Sequence, residues 1–204
     1  MSRFHKRIEI TDNQTALAAI SGLCSLSNTE IKKVMQNGAV WLNRPSQKNR
    51  RLRKVKFTLL PGDIIDIYYD STLVNLPIEQ EPELLIKHKE YSVWYKPPRL
   101  MTQGNLYGDH LSLLRQAEQL LGLQNKLHLI HRLDRETRGI VVLAHSKRSA
   151  AELSRQFANR EVKKYYRALV CGHMECSDEP FKIDMVLDGK SAVTLVTVLH
   201  HAAD

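Results

Sequence analysis

The chain has few cysteines, no long apolar run and no glycine-rich loop of the kind that cradles phosphate groups. Cys24, Cys171 and Cys176 are an odd number at scattered positions, which argues against a disulfide framework and favours a reducing compartment. No apolar stretch approaches the length of a membrane span, and the charged first residues are not followed by the apolar core of a secretory signal. We therefore expect a cytoplasmic protein that does not cross a membrane.

Patterns that bind metals are also missing from the sequence. Cys171, His173 and Cys176 lie close together, but no second Cys or His pair stands at zinc-finger spacing. The carboxylate–histidine spacing of a metal-dependent hydrolase is absent as well. The sequence therefore predicts no metal site and no cofactor.

The charge of the chain is distributed unevenly. A length of 204 residues suits one ordinary domain plus a small one, and a content of 43% hydrophobic and 25% charged residues is that of a globular protein. The net charge is +8, and residues 1–69 contain 12 Lys and Arg against 5 Asp and Glu. A net basic small module beside a larger one favours a polyanionic partner, with nucleic acid as the first candidate.

Residues 1–69 are predicted to form this small module. Apolar residues at helical spacing predict a helix over 16–23, and Ser27 with Glu30 fits a capping box for a second helix that ends at Asn37-Gly38. Strands are predicted over 39–43 and 64–68. Basic residues on the second helix and in the run between the strands are predicted to contact RNA phosphates: Lys32, Lys33, Lys48, Arg50, Arg51, Arg53, Lys54 and Lys56. A solvated, charged loop is the ordinary interpretation of a lone basic run.

The rest of the chain is predicted to be a linker and a larger domain. Residues 70–83 are acidic, contain two prolines and have no sustained period, which is typical of a linker. Residues 84–204 interleave strands and helices irregularly, which favours an α+β fold with a mixed, largely antiparallel sheet. The predicted strands are 84–86, 91–95, 140–144, one through Tyr166 and 191–199, and the predicted helices are 111–121 and 150–157.

The most informative segment runs His131-Arg-Leu-Asp-Arg-Glu-Thr-Arg-Gly139 and precedes the apolar strand Ile140–Ala144. Asp134 stands at the mouth of that strand between Arg132 and Arg135. Opposite charges nearby favour the ionised carboxylate, and the arginines would attract an anionic ligand to it. A plain Asp–Arg ion pair in a turn is the alternative interpretation.

This segment resembles the HRLDxxTxG signature of the RluA-type pseudouridine synthases, which isomerise uridine in structured RNA. The resemblance implies that Asp134 is the catalytic residue. Arg160-Glu-Val-Lys-Lys-Tyr-Tyr-Arg-Ala-Leu-Val170 resembles the family's R-x-V-x-K-x-Y-x-A-x-V strand, which implies that Tyr166 lines the uracil pocket and assists catalysis. Val93-Trp-Tyr-Lys-Pro-Pro98 is similar to the Lys-Pro element that opens the family's catalytic domain.

The resemblance extends to the RNA contacts and to the small module. Arg132 is expected to fill the space that a flipped uridine leaves, and the further substrate-binding residues are expected to be His131, Lys96, Lys164 and Arg138. Residues 7–69 resemble the RNA-binding module named after ribosomal small-subunit protein four, with Gly38, Val40, Gly62 and Asp63 as the best matches. The resemblance implies a monomeric enzyme that acts on rRNA or tRNA without a cofactor.

The sequence departs from the family at three places. Arg138 stands where the family has a small serine, and Arg99 and Gln103 replace a glycine and a histidine. The family's Gly-Arg-x-His-Gln-Ile-Arg segment, which supplies a basic residue to the active site, does not occur in these 204 residues. We therefore expect a catalytic domain that is incomplete at its C-terminal end, with residues 191–199 left as an unpaired edge strand. A non-catalytic RNA-binding protein derived from such an enzyme is the alternative function.

Overall fold

The computed structural model describes residues 2–123, 127–175 and 179–201. It confirms an α+β fold, and every pair of neighbouring strands in the described residues is antiparallel. The chain divides into a first unit, Met1–Val162, and a second unit, Lys163–Asp204. Among the described residues no helix is long and apolar enough to cross a membrane.

The elements in chain order are β1 (Arg3–Glu9), β2 (Gln14–Thr15), α1 (Ala16–Leu23), α2 (Asn28–Gln36), β3 (Val40–Asn43), β4 (Arg50–Arg51), β5 (Thr58–Leu59), β6 (Ile64–Asp70), β7 (Glu83–Lys87), β8 (Tyr91–Lys96), α3 (Leu113–Leu120), β9 (His128–Leu129), β10 (Gly139–Ala144), α4 (Lys147–Ala158), β11 (Phe181–Leu187) and β12 (Lys190–Val196).

The first half of the first unit has α1 and α2 packed with the sheet β1-β6-β3-β4. Helix α2 begins at the predicted capping box, where the Ser27 hydroxyl accepts the Glu30 N–H and the Glu30 carboxylate accepts the Ser27 N–H. Its residues Ile31, Val34 and Met35 are buried in the core. The predictions of both helices and of strands β3 and β6 are confirmed.

Strand β1 was not predicted from the sequence. Charged side chains dominate Arg3–Glu9, and only Phe4 and Ile8 turn towards the core. The segment is a strand because all seven residues pair with β6. The core of this half extends to Val74, beyond the predicted module boundary at residue 69. The division into a module, a linker and a larger domain stays a prediction.

The second half of the first unit contains the sheet β7-β8-β10-β9 with α3 and α4. Its core contains Trp94, Leu113, Val141 and Leu143, all fully buried. The predicted strand pair at 84–86 and 91–95 is confirmed as β7 and β8, and both predicted helices are present. The run Ile140–Ala144, predicted to be buried, is only partly buried, since Ile140 is half exposed.

The second unit contains the hairpin of β11 and β12, which pair over their full lengths. The expectation of an unpaired last strand is therefore corrected, because β11, which the sequence did not predict, is the partner of β12. The predicted strand through Tyr166 is also corrected. Residues 163–170 have no assigned strand, and Tyr165, Tyr166 and Leu169 are exposed, because no neighbouring strand pairs with them in the described residues.

Candidate active site

Asp134 lies in the loop between β9 and β10, at the edge of the sheet. Its side chain is exposed, and within residues 2–123, 127–175 and 179–201 its carboxylate makes no ion pair. Its backbone carbonyl accepts the N–H of Thr137 at 3.1 Å, which closes the turn that leads into β10. The loop therefore presents a carboxylate that is open to a ligand.

Lys96 holds the loop on the C-terminal side of Asp134. It ends β8 and lies opposite Gly139, the first residue of β10, next to the end of the loop. Its ammonium is fully buried and donates to the carbonyls of Pro97 at 3.1 Å, Leu100 at 2.7 Å and Arg135 at 3.1 Å. Burial lowers the pKa of Lys96 below its ordinary value, against the opposing effect of the nearby carboxylates of Glu136 and Asp134. This geometry favours a structural role for Lys96 over the predicted contact with an RNA phosphate.

Thr102 holds the loop on the N-terminal side of Asp134. Its buried hydroxyl donates to the carbonyl of Leu133 at 2.5 Å and accepts the N–H of the same residue at 3.1 Å. Leu133 itself is buried in the core, and a Cβ placed on Gly139 would lie 3.6 Å from its Cδ1. The residues on both sides of Asp134 are thus bonded to buried side chains.

His131 anchors the start of the loop. Its Nε2 accepts the N–H of Val142 at 3.1 Å, and its ring stacks on Phe157 of α4 at a centroid distance of 4.6 Å. The geometry favours a structural role for His131, and its predicted contact with substrate stays a prediction.

Arginines give the loop a cationic rim. Arg132 and Arg138 are exposed on either side of Asp134. The Arg135 guanidinium donates to the carbonyl of Arg99 at 3.3 Å and lies 3.6 Å from the Glu136 carboxylate. Exposed guanidiniums at this position suit an anionic ligand such as the RNA backbone.

Two of the predicted site residues belong to the second unit. Tyr166 is 65% exposed, and Lys164 lies on the same irregular segment. The structure describes this unit by itself. The roles that the resemblance implies for Tyr166 and Lys164 therefore stay predictions.

The predicted RNA-binding arginines include two that bind within the protein. Arg51 and Arg53 both pair with Asp109, with 3.1 Å from Arg51 Nε to Asp109 Oδ2. Arg51 also donates to the carbonyl of Asn105 at 2.9 Å and lies over the ring of Trp41. Burial lowers the pKa of Arg51 relative to its ordinary value. These contacts favour a role for Arg51 and Arg53 in fastening the loop 104–109 to β3 and β4.

The remaining predicted phosphate contacts lie on the surface. Lys32 is exposed, and Lys33 donates to the Asn75 amide oxygen at 2.8 Å. The Arg50 guanidinium lies 5.1 Å from the centre of the Phe57 ring. The residues of the basic run that stay exposed are Lys48, Arg50, Lys54 and Lys56.

Sequence reasoning missed Thr102 and Asp109. Both lie in the irregular segment between β8 and α3, where no periodicity indicates which side chains turn inward. Asp109 offered one weak signal, since it is a lone acid that follows Gly104 and Gly108. In the part of the chain that the structure describes, no three His, Cys, Asp or Glu side chains gather as metal ligands, and Cys176 lies outside that part.

Comparisons with known proteins place these residues in context. Residues 90–204 match the family model described as RNA pseudouridylate synthase. An uncharacterized RNA pseudouridine synthase of Mycoplasma genitalium is 28% identical over 79% of this chain and 52% of its own length. The dual-specificity RNA pseudouridine synthase RluA of Haemophilus influenzae is 33% identical over 61% and 62%. The ribosomal large subunit pseudouridine synthase C of Vibrio cholerae is 24% identical over 75% and 50%. The chain spans about half the length of the first of these relatives.

Proposed function

This chain belongs to the RNA pseudouridylate synthase family, and on that premise we propose that it isomerises uridine to pseudouridine in structured rRNA or tRNA, with Asp134 as the catalytic carboxylate. The observation that supports this assignment most strongly is the exposed Asp134 carboxylate on a loop bonded on both sides to buried side chains. Hydrogen bonds on both sides of an open carboxylate favour the precise placement against a ribose that the reaction requires.

The reaction breaks the bond between ribose C1′ and uracil N1, turns the base, and joins C1′ to C5; C5 loses a proton and N1 gains one. Asp134 acts either as a nucleophile on the sugar or as a base that generates a glycal, and both routes need an ionised carboxylate within reach of the ribose. In this proposal Tyr166 stacks on the uracil and assists removal of the C5 proton. No electron or phosphoryl group is transferred, so the chemistry calls for no cofactor.

The uridine must leave the RNA stack before Asp134 can reach it, at a cost of roughly a few kcal/mol. Arg132 is exposed beside Asp134 and is the residue that we assign to the vacated space. Arg138, on the other side of the loop, is assigned to the substrate backbone. Their guanidiniums would offset part of the cost of flipping through contacts with phosphates and bases.

The exposed basic residues in the first half of the first unit supply further contacts with RNA in this proposal. Lys48, Arg50, Lys54 and Lys56 stand on one run of chain without acidic residues among them. Such a cluster binds RNA phosphates with an affinity that falls steeply as salt is added. The name of the Vibrio cholerae relative, a ribosomal large subunit pseudouridine synthase, supports rRNA as a substrate class.

The test is release of tritium from RNA labelled at uridine C5. Unmodified tRNA and rRNA transcripts are incubated separately with the protein, and RNA binding is measured on the same preparations. We expect binding of both pools and release of tritium from at least one of them, because C5 loses its hydrogen in the reaction. Tight binding without release from either pool would favour a non-catalytic RNA-binding protein.

A further inference from the structure

Thr102 satisfies both backbone polar groups of a single residue of the Asp134 loop. Its hydroxyl donates to the Leu133 carbonyl at 2.5 Å and accepts the Leu133 N–H at 3.1 Å. The Thr102 side chain and Leu133 are both buried, so water does not replace these bonds readily. A buried N–H or carbonyl that loses its partner is costly, and here one hydroxyl is the partner of both backbone groups of Leu133.

Thr102 is itself held in place by the start of helix α3. The first N–H groups of a helix have no partner inside the helix. Here the N–H of Leu114 donates to the Thr102 carbonyl at 3.2 Å, and the N–H of Leu113 donates to the Met101 carbonyl at 2.8 Å. The helix end therefore fixes the backbone of Thr102, and the Thr102 hydroxyl transmits that position to Leu133.

We propose that Thr102 is a positioning residue for Asp134, which sets where the carboxylate stands relative to the ribose; this inference rests on the proposed function. Lys96 fixes only the carbonyl after Asp134, so the peptide before it depends on Thr102. A γ-hydroxyl is the small group that both donates and accepts, and threonine and serine supply it. Valine has the shape of threonine but leaves both backbone groups of Leu133 unpaired.

Thr102→Val should therefore lower kcat much more than it raises KM for RNA, because Thr102 is buried and the exposed basic residues Lys48, Arg50, Lys54 and Lys56 lie outside the Asp134 loop. A displacement of the carboxylate by about 1 Å is enough for a loss of about 100-fold. Thr102→Ser keeps the hydroxyl and should retain kcat within a few-fold of the wild type. A general loss of folded protein would lower the apparent kcat too, so a second readout is needed.

The second readout is amide hydrogen exchange of the unliganded proteins. Thr102→Val should speed exchange at Leu133 and its neighbours by about 10- to 100-fold, since a buried pair of hydrogen bonds is lost. Exchange in α2, in the other half of the unit, should not change, which separates local loosening from global unfolding. Thr102→Ser should exchange as the wild type does. Should Thr102→Val fail to fold, Thr102→Ala removes the same two bonds without placing a methyl group against Leu133.

The proposal stands if loss of the hydroxyl both loosens residues 131–136 and lowers kcat, and if serine restores both. It is overturned if kcat is unchanged although the loop exchanges faster, or if exchange at Leu133 does not change at all. If the wild-type protein itself releases no tritium, the proposed function fails and the inference falls with it. Normal release by both wild type and Thr102→Val would overturn the inference alone.

Discussion

The ammonium of Lys96 lies 3.1 Å from the carbonyl oxygen of Arg135, the residue that follows Asp134. Lys96 is fully buried, and two further carbonyls take up its other donors. The buried ammonium of Lys96, the lysine of the Lys-Pro element, thus holds the Asp134 loop by a hydrogen bond. This hydrogen bond joins the Lys-Pro element to the segment around Asp134, which lies far from it in the sequence.

Replacing Lys96 by methionine tests how much its hydrogen bonds stabilise the protein. Lys96→Met keeps the length of the side chain but leaves buried carbonyls without a donor, so we expect the free energy of unfolding to fall by about 1–3 kcal/mol. Urea unfolding at neutral pH measures the change. Lys87→Met, an exposed lysine on the neighbouring strand β7, is the control and should stay within about 0.5 kcal/mol of the wild type. Equal stability of both variants would mean that Lys96 does not hold the loop.

Gly38 is expected to be intolerant of any side chain. Its φ of +78° is unfavourable for other residues, and a Cβ there would lie 2.6 Å from Arg53 Nη1 and 2.8 Å from Asp109 Oδ1. Gly38→Ala should therefore lower the free energy of unfolding by about 1–3 kcal/mol. Gly22→Ala is the matched control, because nothing lies within 4 Å of its Cβ position and alanine suits helix α1 better than glycine. Thermal or urea unfolding of both variants measures the change. Equal free energies of unfolding for Gly38→Ala and Gly22→Ala would contradict the close approach of Arg53 and Asp109 to Gly38.

The basic residues between Lys48 and Lys56 are expected to divide into those that bind RNA and those that stabilise the fold. Substituting glutamine for the exposed Lys48, Arg50, Lys54 and Lys56 removes four charges from the proposed RNA surface. The slope of log affinity against log salt should then flatten by about 3 if all four contact phosphates. Arg53→Gln should instead lower thermal stability and leave that slope nearly unchanged, because Arg53 is engaged with Asp109. An unchanged slope in the fourfold variant would assign another ligand to this surface.

Asp63 should make stability depend on pH in the acid range. The Arg44 guanidinium forms two hydrogen bonds with the buried Asp63 carboxylate, at 2.7 and 2.6 Å, and holds its pKa below the ordinary value of 3.8. A carboxyl whose pKa is lower in the folded state stabilises the fold above its unfolded pKa, and that contribution is lost as the pH falls through the folded pKa.

Asp63→Asn should accordingly be less stable than the wild type by about 1–3 kcal/mol at pH 7. The difference should shrink as the pH is lowered below 3.8. Asp12→Asn, an exposed aspartate, should track the wild type at every pH. Thermal melts of the three proteins between neutral and acid pH measure this, and a constant gap for Asp63→Asn would contradict the assigned ion pair.

Elements fixed by local signals could be predicted from the sequence. Helix α2 begins directly after its N-cap Ser27 and ends before Gly38, because the capping box and the glycine act within a few residues of the chain. Strand β1 could not be predicted, because Arg3–Glu9 is a strand only through its pairing with β6. The segment through Tyr166 has the composition of a strand, yet no described strand pairs with it.

The residues of the candidate site also divide into those that a local sequence signal identifies and those that only tertiary packing identifies. The segment around Asp134 could be identified from its residues, and the structure places that carboxylate on the surface. The buried partners could not be identified, because the burial of Lys96 depends on the register between β8 and β10, and that of Thr102 on the docking of α3. Lysine and arginine side chains in a sequence suggest solvent and phosphate, and only tertiary packing turns Lys96, Arg51 and Arg53 inward.

The most direct measurement is tritium release from C5-labelled RNA by Asp134→Asn and by Glu136→Gln, each compared with the wild type. Glu136 is an exposed carboxylate two residues away on the same loop, so its removal controls for loss of charge near the site. We predict that Asp134→Asn binds RNA with unchanged affinity and releases no more tritium than RNA without protein, whereas Glu136→Gln releases tritium at nearly the wild-type rate. Substantial release by Asp134→Asn would contradict the assignment of Asp134 as the catalytic residue.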